Sequence, residues 1–204
     1  MDRDIFLNQY WNYYKMLEDD FIRTIRFIEI DESNYKVFSV EYVKQLQAIC
    51  SEIDVIFKAI SEFHGYTDLK KMHEYASMIL GKYNEIGDKI INVKYKKDIE
   101  IKPFLSWSGK SEYSELEWWS GSNGYNGVKH NRVVNFKNAN LKNVINALAG
   151  LFLLEMYFLK EICKNTNCDI DIPNKESSLF IIKDWKTKAI GALSGVIVEC
   201  DNES

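Results

Sequence analysis

From Asn140 to about Lys164 the sequence is apolar on nearly every side of a helical projection, and this stretch limits the available folds more than any other. A helix with one apolar stripe lies on a surface, whereas one that is apolar all round has to be enclosed by other elements. Its most apolar part, Ala147 to Leu154, lies between Asn146 and Glu155, far short of the roughly 20 residues that a membrane span needs. The stretch is expected to form a central helix, with Asn140 accepting from the first turn's orphan N–H groups.

Other segments supply its surroundings. Between Ile5 and Ile28 the residues Phe6, Tyr10, Tyr14, Leu17, Phe21, Ile25 and Ile28 recur at spacings of three and four, which predicts one long helix with an aromatic face. After the polar break Asp31–Asn34, Ser39 stands where an N-cap belongs, and Val43, Leu46, Cys50, Ile53, Phe57 and Ile60 continue the same spacing to near His64-Gly65. Thr67 or Asp68 is placed to cap a third helix that ends near Gly81. Between Ile90 and Phe104 the period changes to two, with Ile91, Val93 and Tyr95 answered by Ile99 and Ile101 across Lys96-Lys97-Asp98, which suggests a β-hairpin. Residues 103–127 form a long Gly- and Ser-rich stretch holding Trp107, Trp118 and Trp119, and loops of this length often carry function.

The expected fold is all-α in the main: a four- to five-helix bundle with a small β-hairpin or irregular insertion. It forms a single domain over 1–204, with a bundle core at about 5–165, an insertion at about 90–135 and a C-terminal extension at 166–204. In the extension, Leu179 to Ile182 is a short apolar run and Ala189 to Val198 a small-residue run before an acidic tail. A content of 46% hydrophobic and 27% charged residues excludes wholesale disorder.

Thirty acidic residues against 26 basic ones give a net charge of −4, so any contact with nucleic acid must be local and not a broad basic face. The opening MDRDIFLNQYWNYY has acids and amides where a signal peptide needs a basic start and an apolar run, so a cytoplasmic location is expected. Cys50, Cys163, Cys168 and Cys200 read as reduced thiols. His64, His73 and His130 share no short ligand spacing, and no metal or cofactor is expected. The glycines Gly121, Gly124 and Gly127 follow no strand, so they do not make a dinucleotide fingerprint.

Chemistry is concentrated between Trp118 and Asn140. Lys129, His130 and Arg132 place an imidazole between two cations, with Asn126, Tyr125 and Trp119 close in sequence and Asn140 at the start of the central helix. The unpaired N–H groups of that start, with Lys129 and Arg132, could hold a phosphate or carboxylate. An imidazole suits general acid–base work such as activation of a ribose 2′-hydroxyl. Equally, His130 could bond a backbone carbonyl beside two solvated cations, and the tryptophans could be loop anchors instead of stacking platforms. Asn140, Asn143 and Asn146 lie one turn apart, with capping by Asn140 and bridging by the other two as their structural reading. Glu52, Asp54 and Glu155 are candidate partners for Arg132 or His130.

The order of three helices, an irregular insertion, a polar motif ending in His and a long apolar helix resembles the HEPN superfamily. The motif reads Tyr125-Asn126-Gly127-Val128-Lys129-His130-Asn131-Arg132, and the likeness covers mainly residues 5–165. The resemblance implies a helical bundle that often dimerises and acts in toxin, phage-defence or RNA-processing systems, either as a metal-independent ribonuclease or as an inactive binder of nucleotides or partners. It matches His130 to the family histidine and Asn126 to the polar residue of the intervening stretch. The family Arg, separated from the His by four to six residues, is absent: Tyr125, Gly124 and Asn123 fill those positions.

Two functions follow as expectations. In the first, a homodimeric HEPN-like protein binds or cleaves RNA, with His130 as acid or base, Lys129 and Arg132 on phosphate, and Asn126, Tyr125, Asn140 and Trp119 shaping the site. In the second, a non-catalytic module holds a nucleotide or a protein partner's acidic group with the same cluster.

Overall fold

In a computed structural model, which describes residues 1–110, 112–190 and 197–201, the chain is mainly helical with small antiparallel sheets. Helix α1 (Arg3–Phe6) runs through a π-helical turn, Leu7–Trp11, into α2 (Asn12–Thr24). Then come α3 (Val40–Phe63), α4 (Met72–Lys82) and the strands β1 (Ile91–Val93) and β2 (Lys96–Ile101). Two short helices, α5 (Tyr125–His130) and α6 (Arg132–Asn135), precede α7 (Leu141–Asn165) and the strands β3 (Phe180–Ile182), β4 (Lys186–Ile190) and β5 (Ile197–Asp201). Among the described residues, no helix is long and apolar enough to cross a membrane.

The all-round apolar segment is the enclosed helix, as its composition requires. α7 packs along α3 and also touches α1, α2 and β3, and every residue from Ala147 to Met156 is buried. Ser39 caps α3 by accepting from the Tyr42 N–H at 3.1 Å. Gln45, buried on α3, donates to the Asp20 carbonyl and ties α2 to it. Full burial of one Leu, Ile or Phe side chain contributes about 1.5–3 kcal/mol, so this shared seam dominates the favourable side of folding.

Local details depart from the periodic pattern in four places. The N-terminal helix ends at Thr24, not Ile28, where the Thr24 hydroxyl bonds the Phe21 carbonyl and the Thr24 carbonyl takes both the Phe27 and Ile28 N–H groups. The π-helical turn rotates the face so that Trp11 is buried and donates to the Lys175 carbonyl at 2.7 Å. α4 begins at Met72, not beside Thr67 or Asp68, because Glu74 reaches back to the Lys70 and Lys71 N–H groups, both at 2.8 Å. The hairpin turns at Lys94-Tyr95 and not across Lys96–Asp98, with Ile91 opposite Ile101 and Val93 opposite Lys96 through a bulge.

The apolar run near Leu179 supplies β3, which pairs antiparallel with β1 to give a sheet of order β2-β1-β3. What brings β3 there is a buried carboxylate. Glu18 on α2 accepts from the Tyr14 hydroxyl at 2.8 Å, the Ser178 N–H at 3.0 Å, the Leu179 N–H at 3.1 Å, and from Ser177 and Lys15. Burial works to raise the Glu18 pKa, but the bonds from Lys15, Ser177 and Ser178 prevail and leave it lowered. β4 and β5 form a separate two-stranded sheet, and of the small-residue run Ala189 to Val198, residues 191–196 lie outside the described residues, as do 202–204 of the acidic tail. Cys50, Cys163 and Cys168 are free thiols.

Candidate functional site

The loop that carries His130 is held from below by aromatic rings and from the side by amides. Trp118 donates to the Pro103 carbonyl at 2.7 Å, while Trp119 packs on Tyr125 with ring centroids 5.1 Å apart. The Trp118 and Trp119 carbonyls accept from the Tyr125 and Asn126 N–H groups, so they satisfy the orphan donors that open α5. Gly124 and Gly127 fit because the chain passes close by: a Cβ on Gly124 would meet the Glu117 carbonyl at 2.7 Å, and one on Gly127 would overlap the Ser122 carbonyl. These glycines serve backbone packing, and Gly121, at φ +66°, serves a turn.

Asparagines complete the frame. Asn135 donates to the Gly127 carbonyl at 3.0 Å and Asn138 to the Ser122 carbonyl at 2.7 Å. Asn143, buried on α7, donates to the Asn123 and Asn138 carbonyls at 2.8 Å each. Asn131 accepts from Val134 at the start of α6, and Asn146 bonds back to Lys142 within its own helix. The asparagine row on α7 is therefore structural. Asn140 caps, Asn143 bridges to the loop, and Asn146 does not reach another helix.

The anion site expected at the start of α7 is closed. The Leu141 N–H donates to the Val37 carbonyl at 2.9 Å, the Lys142 N–H to the Tyr35 carbonyl at 3.2 Å, and the Asn143 N–H to the Asn140 side chain at 3.0 Å. The strap leading into α3 thus supplies the acceptors that a ligand would otherwise provide. Phe38 bridges Asn140 and stacks edge-on against Phe136, 5.6 Å between ring centroids. Tyr125 and Trp119 are buried and Asn140 is engaged as a cap, so these three expected contacts have structural tasks. Asn126 is half-buried.

What stays exposed is the cationic group itself. Lys129, His130, Asn131 and Arg132 all face solvent across the junction of α5 and α6. Among the described residues, none of Lys129, His130 and Arg132 forms an ion pair, although Lys129 lies 5.4 Å from the centre of the Tyr125 ring. Of the acids expected to face this group, only Asp54 senses it: desolvation raises its pKa and Lys129 partly offsets that. Glu155 is fully buried on α7 with both carboxyl oxygens unbonded, and its charged neighbour is Glu52, not Arg132 or His130. Among the described residues, no three His, Cys, Asp or Glu side chains gather to hold a metal.

Two clefts went unanticipated because their residues are scattered along the sequence. One, of about 550 Å³, lies between the hairpin, the Trp118 loop and the start of α7, and the Glu117–Lys142 ion pair at 2.9 Å lines it. The other, of about 520 Å³, lies near the far end of α7 and is lined by lysines and aromatic rings. Its one legible trace is the spacing of Tyr157, Lys160, Glu161 and Lys164, a polar stripe on an otherwise apolar helix. Compared with family models, curated proteins and solved structures, the chain matches none.

Proposed function

We propose that this chain is a HEPN-like, cytoplasmic RNA-binding protein whose α5–α6 surface contacts single-stranded RNA. Lys129 and Arg132 meet phosphates, and His130 donates to a phosphate or ribose oxygen between them. The observation that carries this reading is three neighbouring cation-forming side chains that no carboxylate pairs with among the described residues, exposed on a chain of net charge −4. A frame of tryptophans and asparagines presents these three outward. Binding and not cleavage is the assigned role. An orienting partner fixes the imidazole in many acid–base sites, and among the described residues of one chain no side chain bonds His130, so the reading rests on binding.

Consecutive valines favour a second reading in which the same face also joins two copies of the chain. Val133 is 91% exposed and Val134 74%, beside the Phe38–Phe136 pair and Val40 at 75%. Sedimentation of the wild type and of Val133→Asp separates the two, since a homodimer through this face becomes a monomer in the variant.

For the main reading, labelled RNA is titrated with protein in excess chelator, followed by fluorescence polarisation and by gel. Wild type is expected to bind and leave the RNA intact, and the Lys129→Ala/Arg132→Ala variant to bind at least tenfold more weakly. Cleavage by wild type that is lost in His130→Ala would replace binding with catalysis as the assigned role. Absence of binding by wild type would end the reading.

A further inference from the structure

Helix α4, the loop before β1 and helix α7 bring lysines together at one cleft. Lys82 lies in the last turn of α4 and Lys164 in the last turn of α7; Lys160 stands one turn before Lys164, and Lys89 follows α4. The cleft measures about 520 Å³, within the range of small-ligand sites, and its lining holds five lysines against three carboxylates. Lysines near helix C-termini offset the negative end of the helix dipole, and that accounts for Lys82 and Lys164 singly. It does not account for their sharing a cleft with three more lysines and a wall of phenols.

That wall is built from Tyr83 and Tyr157, stacked at 4.6 Å between centroids and 24° between planes, with Trp185 edge-on to Tyr157 at 5.0 Å. Lys160 covers the Trp185 ring at 4.8 Å and Lys89 pairs with Glu85 at 2.8 Å, while among the described residues Lys82 and Lys164 have no bonded partner. Tyr83 is buried with its hydroxyl unbonded, and the nearby acids and phenols that act on that hydroxyl, Glu161 and Tyr157, both line the cleft. His64, whose ring lies 6.4 Å from Tyr83, also buries an unbonded Nε2. Burial keeps both tyrosines protonated, hence able to donate.

We infer that this cleft binds a small aromatic phosphate of mononucleotide size, with the phosphate between Lys82 and Lys164 and the aromatic head against Tyr157. The site is separate from the α5–α6 surface and does not rest on its assignment. Point-charge contacts from lysine suit a phosphate monoester, and an aromatic face adds sequence-tolerant stacking.

Calorimetric titration of the full chain with AMP, UMP, glucose 6-phosphate and inorganic phosphate tests this. Saturable binding of the two nucleotides is expected, at least tenfold tighter than of inorganic phosphate or the sugar phosphate. Lys82→Ala/Lys164→Ala, both surface changes, should weaken it at least tenfold, and Lys129→Ala/Arg132→Ala should leave it unchanged. The inference fails if neither nucleotide binds at millimolar concentration, or if inorganic phosphate binds as tightly as they do. It also fails if the sugar phosphate matches them, if the lysine variant binds like wild type, or if the Lys129/Arg132 variant is the one that loses binding.

Discussion

Glu155 offers the sharpest test of how the core is built. Its carboxyl lies in the middle of α7, fully buried and unbonded, and burial first and Glu52 second hold its pKa well above the ordinary value of 4.5. The folded chain therefore keeps a proton that the unfolded chain releases once the pH passes that ordinary value. Stability from this group is fully present below it and declines as pH rises towards the folded pKa, by about 1.4 kcal/mol per pH unit for one proton. Glu52, also raised by burial, adds to the same trend. Glu155→Gln removes one titrating group at nearly constant shape. Relative to wild type, the variant should gain stability steadily as pH rises from 5 towards 7 in urea unfolding followed by tryptophan fluorescence, by at most about 1.4 kcal/mol per pH unit. Glu155→Leu should exceed wild type at every pH above 5, because it also removes two unbonded polar atoms. A difference that stays flat with pH, or a Gln variant weaker than wild type at pH 7, would refute a neutral, unpartnered carboxyl.

Glu18→Gln is expected to cost about 3–5 kcal/mol, since it breaks a buried charged centre with five donors; hydrogen exchange should show residues 177–182 losing protection first. The Glu18 pKa is lowered, so its contribution is present above the ordinary glutamate value and fades as pH falls, opposite in sign to Glu155. Gly127→Ala should destabilise by about 1–3 kcal/mol, read by chemical denaturation, because the added methyl meets the Ser122 backbone, which cannot swing away as a side chain can. If Lys129 and Arg132 each meet one phosphate, the logarithm of RNA affinity should fall against the logarithm of salt with a slope of about −1.4, roughly sevenfold between 50 and 200 mM. Arg132→Ala should halve that slope in polarisation titrations, and an unchanged slope would place the contacts elsewhere.

The features that read well from sequence are those governed by neighbours in the chain. Ser39 and Asn140 cap the helices they precede because capping needs only a side-chain oxygen and the next two or three N–H groups. α4 eluded the same reasoning because its start is fixed by Glu74 reaching backward and not by a Thr or Asp reaching forward. The N–H groups that open α7 read as an anion site, but two of them donate to the Tyr35 and Val37 carbonyls, about a hundred residues earlier, and no local pattern names those acceptors. Likewise the apolar run at Leu179 and the strand at Ile91 and Val93 both read from the sequence, while their pairing with each other does not. Trp119 and Tyr125 have the residue types of a binding wall, and only three-dimensional packing shows that they face each other.

The bonds from Arg3 to Ile172, Trp11 to Lys175 and Ser178 to Glu18 join residues more than 150 positions apart. During synthesis at about 5–20 residues per second, the first helix to leave the ribosome waits on the order of ten seconds before its acceptors and donors exist. Through that interval Glu18 can remain hydrated and Trp11 exposed, so α2 is made early and locked late. A nascent chain stalled between α4 and α7 would display an aromatic helix face to every chaperone within reach.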